Sequence, residues 1–153
     1  MLKKIFFTNL IALLILPAIL LAHCQIPCGI YDDEVRFKLM REHVETIEKS
    51  MKQIEALSKG TGKNENQLIR WVMNKDDHAN QLSEIVTYYF LAQRVKPADK
   101  NDDHAYDSYQ KQLELLHKIM VHAMKAKQTI DLEHVEQLNE LIDKFEKAYN
   151  HKH

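Results

Sequence analysis

Residues 40–54, MREHVETIEKSMKQI, set the fold class of this chain. Apolar side chains recur there at alternating spacings of four and three residues, which places them on one face of an amphipathic helix. The cap of this helix is expected at Asp32 or Asp33, and Gly60 with Gly62 is expected to end it. The apolar positions are Met40, Val44, Ile47, Met51 and Ile54.

Three further stretches repeat the helical period. The second helix is expected to open with Asn64 and Gln67 as a capping box and to stop before Pro97, and the fourth to open at Thr129 or Asp131. Four amphipathic helices joined by short polar links predict an all-α, up-and-down four-helix bundle over residues 33–150. The expected core positions are Leu68, Val72, Ala79, Leu82, Val86 and Tyr89 in the second helix, Tyr109, Leu113, Leu116, Met120 and Ala123 in the third, and Val135, Leu138, Ile142, Phe145 and Tyr149 in the fourth.

The bulk composition limits the classes of function. A length of 153 residues with a 45% hydrophobic share is enough for one domain with a core. The formal net charge of −1 gives no basic surface for nucleic acid, so no nucleic-acid partner is expected. Only 3 glycines and 3 prolines are present, which argues against an all-β fold with its many turns.

Residues 1–22 have the parts of a secretory signal peptide: a basic start, an apolar middle and a small final residue, Ala22. We therefore expect a removed leader, a periplasmic or extracellular mature protein, and no stable membrane association after cleavage. An uncleaved membrane anchor is the alternative, but the apolar run is short and contains Pro17. A lipoprotein would carry lipid on Cys24, although the residue before such a cysteine is usually small.

Residues 23–32, HCQIPCGIYD, contain both cysteines and follow the leader directly. If cleavage falls after Ala22, the free amine of His23, the amide nitrogen of Cys24 and the Cys24 thiolate form two fused five-membered chelate rings. The thiolate of Cys28 can supply a fourth donor, and the His23 imidazole an axial one. Two nitrogens and two thiolates in a plane suit Ni(II) or Cu(II) better than tetrahedral zinc. A short Cys24–Cys28 disulfide in a purely structural bundle is the alternative.

The helices offer weaker candidates for metal ligands. Glu114 and His117 form one Glu-x-x-His step, but the second step that a di-iron bundle needs is missing. His43 is expected to be a half-buried packing residue, and the histidines at 104, 122 and 134 are expected on the surface. His78 lies in the polar stretch 74–78 that interrupts the apolar seam of the second helix, so it is a candidate for orienting a metal ligand.

The pattern His23-Cys24-x-x-Pro27-Cys28-Gly29-x-Tyr31 resembles the N-terminal metal hook of the nickel-containing superoxide dismutases. The resemblance implies a homohexamer of four-helix bundles with one nickel ion per subunit. It implies nickel bound by the His23 amine and imidazole, the Cys24 amide nitrogen and thiolate, and the Cys28 thiolate, with Tyr31 beside the open axial side as a gate. The implied reaction converts superoxide to dioxygen and hydrogen peroxide as nickel cycles between Ni(II) and Ni(III).

Two departures from the family's familiar form stand out. Gln25 and Asp33 occupy positions where that form has Asp and Pro, and its Glu–Arg pair that orients the axial imidazole is not evident. Arg41, Glu42 and His78 are the candidates to replace that pair. A non-catalytic periplasmic nickel- or copper-binding bundle with the same hook is the alternative function.

Overall fold

The structure, a computed structural model, describes residues 29–60, 62 and 64–150. The helices of this part belong to one compact unit that begins at Tyr31. They are α1 (Asp33–Lys59), α2 (Glu65–Glu84), a π-helix (Ile85–Arg94) that continues α2 without a break, α3 (Asp103–Gln128) and α4 (Glu133–Asn150).

Each helix packs against the next one along the chain, and α4 returns to pack against α1. No strand occurs in the ranges that the structure describes. The predicted all-α helical bundle is therefore confirmed. No helix within these ranges is long and apolar enough to cross a membrane.

The helix ends follow the sequence signals in most cases. Asp32 caps α1 by accepting a hydrogen bond from the Val35 amide at 3.1 Å, and Gly60 is the C-terminal cap. Asn64 is the N-terminal cap of α2, but its side chain makes no capping hydrogen bond, so the expected capping box is not formed. At α4, Asp131 accepts from the Glu133 amide at 3.0 Å, as one of the two expected openings requires.

The core is apolar and aromatic. All five positions expected on α1 are buried, and Phe37, Phe90 and Phe145 meet with ring centroids 4.9–5.6 Å apart. The expectation was wrong at Val72, which is 38% exposed, because the described core of α2 begins only at Ala79. Since the interleaved rings fill one contiguous volume, they fix how the ends of α1, the π-helix and α4 sit together.

The polar stretch 74–78 does not interrupt α2, which is helical from Glu65 to Glu84. Lys75 is only 3% exposed. Its ammonium donates hydrogen bonds to the carbonyls of Ala126 and Lys127 at 2.7 and 2.5 Å, and to that of Thr129 at 3.3 Å. These carbonyls lie at the C-terminal end of α3, where the helix dipole favours a cation. Lys75 therefore connects α2 to the C-terminal end of α3.

Candidate metal centre and the residues behind it

The expected metal ligands His23, Cys24 and Cys28 lie outside the described residues. Of the hook, 23–32, the structure describes Gly29 to Asp32. Gly29 has φ +69°, in the left-handed region that favours glycine, so the chain turns immediately after the second cysteine.

Tyr31 is anchored to the bundle although it is 41% exposed. Its hydroxyl donates a hydrogen bond to Oε1 of Gln93 at 3.3 Å. Its ring meets that of Tyr89 edge-on at a centroid distance of 5.9 Å, and the guanidinium of Arg94 lies 4.5 Å from the Tyr31 ring centroid. Cation–π and edge-to-face contacts of this kind hold an aromatic ring in one orientation. Side chains of the π-helix thus hold Tyr31, the expected gate residue, in place.

Asp33, the first residue of α1, joins these groups through both carboxylate oxygens. Oδ1 accepts from the Tyr89 hydroxyl at 2.5 Å and from Nε of Arg94 at 2.9 Å. Oδ2 accepts from Nη2 of Arg94 at 2.6 Å and from the Tyr149 hydroxyl at 2.8 Å. One carboxylate thus ties together the start of α1, the π-helix and the last turn of α4. We call Asp33, Tyr89, Arg94 and Tyr149 the Asp33 cluster.

The protonation states of the Asp33 cluster follow from its contacts. Burial opposes ionisation of Asp33, but hydrogen bonds from Arg94, Tyr89 and Tyr149 outweigh it and lower the carboxyl pKa. Burial and the bond to Asp33 raise the pKa of Tyr149 to about 12. The same two causes hold the pKa of Tyr89 well above its ordinary value. At neutral pH the cluster therefore contains a carboxylate, a guanidinium and two protonated phenols.

The π-helix is the element that brings Tyr89, Gln93 and Arg94 to Tyr31. Its backbone bonds run five residues back, as in the 2.8 Å bond from the Val95 amide to the Phe90 carbonyl. Such widened turns are rare and occur frequently at functional sites. The sequence expectation extended the second helix to Pro97 and gave no sign of the wider turn.

The three candidates to replace the familiar Glu–Arg pair have different surroundings. Arg41 binds Asp143 at 2.8 Å and Glu146 at 2.5 Å, both on α4. Glu42 is exposed and lies 4.0 Å from the ammonium of Lys38. His78, by contrast, is half-buried, and its Nδ1 lies 2.9 Å from Nδ1 of His43. Arg41 is thus paired with carboxylates of α4. His78 is the one candidate of the three with an imidazole side chain.

The other histidines differ in their exposure to solvent. His104 and His117 are exposed as expected, and Glu114 pairs with Lys118 rather than with His117. His122 and His134, expected on the surface, are half-buried and in ring contact with each other. Within the described ranges, no three or more His, Cys, Asp or Glu side chains are grouped to hold a metal ion.

The fold is a helical bundle. The segment that precedes it in the sequence contains the candidate metal ligands His23, Cys24 and Cys28. A family model described as nickel-containing superoxide dismutase matches residues 18–153, nearly the whole chain. The chain belongs to the nickel-containing superoxide dismutase family. It is accordingly an oxidoreductase with a nickel cofactor, and its substrate is superoxide. No curated protein and no solved structure matches the chain.

Proposed function

We propose that this protein disproportionates superoxide to dioxygen and hydrogen peroxide at a nickel ion held by its N-terminal hook. The ligands are the amine and imidazole of His23, the amide nitrogen and thiolate of Cys24, and the thiolate of Cys28. The donor set fits nickel, because two nitrogens and two thiolates in sequence order form fused chelate rings that favour a planar ion. The observation that carries the proposal is this donor order, within a chain that matches the family from residue 18 onward.

Nickel bound there supplies a one-electron couple between Ni(II) and Ni(III), which both half-reactions of superoxide require. The protein's task is to position the donors, to admit a small anion and to supply protons. Cys28 is followed three residues later by Tyr31, and Tyr31 is held by Arg94 and Tyr89. Tyr31 therefore links the proposed donors to the bundle along the chain.

Tyr31 acts as the gate. The hydrogen bond that its hydroxyl donates to Gln93 keeps the phenol oxygen at a fixed place on an exposed surface. The fixed ring restricts access to small molecules such as superoxide and water. Tyr89 and Arg94 of the Asp33 cluster contact the Tyr31 ring, and Asp33 holds Arg94. Asp33 and Arg94 are therefore positioning residues.

His78 is the proposed partner that orients the His23 imidazole. The proposal is supported by its half-buried imidazole and by the contact that fixes it to His43. An imidazole nitrogen can donate or accept a hydrogen bond, which is what a ligand-orienting partner needs.

We further propose that residues 1–22 are removed during export to the periplasm or beyond, and that the mature chains form a homohexamer. The first part rests on the leader pattern and the second on the family resemblance. Light scattering of the mature nickel-loaded protein is expected to give six chains. A monomeric mass for active protein contradicts the hexamer.

The test of function is the decay of superoxide measured by pulse radiolysis with nickel-loaded mature protein. Fast decay, proportional to nickel content, is expected. Tyr31→Phe should alter the rate while nickel stays at one per chain, whereas Tyr88→Phe, at another exposed tyrosine, should leave the rate and the nickel content unchanged. Nickel-loaded protein without activity overturns the proposal and favours the non-catalytic metal-binding alternative.

A further inference from the structure

A second pair of histidines lies away from the hook sequence, where α3 meets α4. His122 is on α3, less than two turns from its C-terminal end, and His134 is in the first turn of α4. Their rings meet edge-on, with centroids 5.4 Å apart and an interplanar angle of 70°. Neither residue has a part in the superoxide chemistry proposed above.

One nitrogen of each imidazole in this pair, Nδ1, lacks a hydrogen-bond partner. Nδ1 of His122 and Nδ1 of His134 are both buried, and neither makes a hydrogen bond in the structure. An unsatisfied buried polar atom costs about 1–3 kcal/mol, so two in contacting rings need an explanation. An imidazole nitrogen without a hydrogen bond is also a free metal ligand.

The other histidine pair provides an internal comparison. His43 and His78 have a similar centroid distance, 5.1 Å, but their Nδ1 atoms are 2.9 Å apart and share a hydrogen bond. That pair is satisfied without any ligand. The difference between the pairs is therefore the missing hydrogen bond, and not the spacing of the rings.

The ring spacing of His122 and His134 leaves room for a shared metal ion, although ordinary edge-to-face ring pairs have similar spacings, so the unpaired Nδ1 atoms carry the inference. At a Zn–N distance of about 2.0–2.1 Å, two imidazoles on a tetrahedral ion have ring centroids about 5.2 Å apart. The observed distance is 5.4 Å. We propose that His122 and His134 together bind one divalent transition-metal ion of the zinc type, which clamps the end of α3 to the start of α4.

The charges around the pair are mixed. The carboxylate of Glu133 favours a positive charge at His122, whereas the ammonium of Lys125 disfavours it. No third His, Cys, Asp or Glu side chain is grouped with them in the described ranges, so these two imidazoles are the protein ligands of the proposed site. The site is therefore exchangeable, and it binds metal more weakly than a hook with thiolate donors.

The test is a zinc titration of the nickel-loaded mature protein, with nickel content measured in parallel. One Zn²⁺ per chain is expected without loss of nickel. His122→Gln and His134→Gln should each weaken zinc binding at least tenfold, by comparison with outer partners of metal ligands, whose loss already costs about 10–100-fold. His104→Gln, at an exposed histidine, is the matched control and should bind zinc as the unaltered protein does.

A second readout separates binding from folding. Co²⁺ in place of Zn²⁺ should give the intense visible absorption of a tetrahedral site, absent in both variants, while urea unfolding shows that the variants are folded. The proposal is overturned if zinc does not bind, if it enters only as nickel leaves, or if the two variants bind it normally. It is also overturned if His104→Gln loses zinc equally. Because the nickel content is followed separately, failure of this site is distinguishable from failure of the hook.

Discussion

At the scale of single residues, Asp33 is the acceptor that joins the start of α1 to the π-helix and α4. It accepts four hydrogen bonds, from Tyr89, Arg94 and Tyr149, although the familiar form of the family has proline at this position. The sequence allowed Asp33 to be predicted at a helix start. Its partners lie 56, 61 and 116 residues along the chain, and local patterns carry no information about such contacts.

Asp33→Asn tests the cluster as a structural unit. The substitution keeps the shape of the side chain but removes the charge that pairs with the partly buried guanidinium of Arg94. A loss of about 1–3 kcal/mol in the free energy of unfolding is expected, measured by urea denaturation. Tyr31 fluorescence and the superoxide rate should change as well, since Arg94 would no longer be held over the Tyr31 ring.

Asp143→Asn is the matched control for this prediction. It also removes a carboxylate that pairs with an arginine, Arg41, but its side chain is 57% exposed. Exposed pairs contribute about 0–1 kcal/mol, so a small effect on unfolding and none on the superoxide rate are expected. Equal effects of the two substitutions would contradict a special role for Asp33.

At the scale of elements, α1, α3 and α4 were predictable and α2 only in part. Their apolar positions recur regularly, and burial follows from that period. In α2 the burial of Lys75, within the polar stretch 74–78, was not predicted, because the helical periodicity was read from apolar residues only. The π-helix was not predictable, because the apolar pattern does not distinguish its wider turn from an α-helical one.

Lys75→Met tests the contact between α2 and the end of α3. Methionine keeps the apolar stem but leaves the carbonyls of Ala126 and Lys127 without their donor. A loss of about 1–3 kcal/mol is expected from denaturant unfolding. Lys127→Met is the control, because Lys127 lies on the same helix end but donates to the exposed side chain of Asn80. A neutral Lys75→Met would contradict the docking role.

The His43–His78 contact makes the α1–α2 pair sensitive to acid. Burial and the neighbouring His78 imidazole lower the pKa of His43 below 6.5, against a smaller opposing effect of Glu42. As pH falls below 6.5, the unfolded chain takes up this proton before the folded one, so stability falls until pH drops below the folded pKa. Above pH 6.5 the contribution of His43 to stability is fully present.

The measurement is urea unfolding at a series of pH values. A slope of up to about 1.4 kcal/mol per pH unit is the limit for one proton. His43→Gln should flatten the profile below pH 6.5, the ordinary pKa of histidine, and leave the profile above it unchanged. His104→Gln, at an exposed position, should keep the slope. An unchanged slope in His43→Gln would contradict this assignment.

At the scale of the whole molecule, a helical scaffold and a short N-terminal donor segment have separate tasks. The scaffold was predictable because burial of amphipathic faces leaves few arrangements for four helices. The family was recognisable from the donor order of the N-terminal segment, and the hook itself stays a prediction because its ligands lie outside the described residues. What connects the two in the chain is Tyr31, which follows the cysteines and is fixed by the π-helix.

The central claim is that nickel binds through the free amine of His23. It is tested most directly by native mass spectrometry of the mature protein beside a variant that retains Ala22 at its N-terminus. We predict a chain that begins at His23 with one nickel, and a retained-Ala22 chain with intact thiols, a folded bundle and no nickel. A chain that begins elsewhere and still holds nickel would contradict the account.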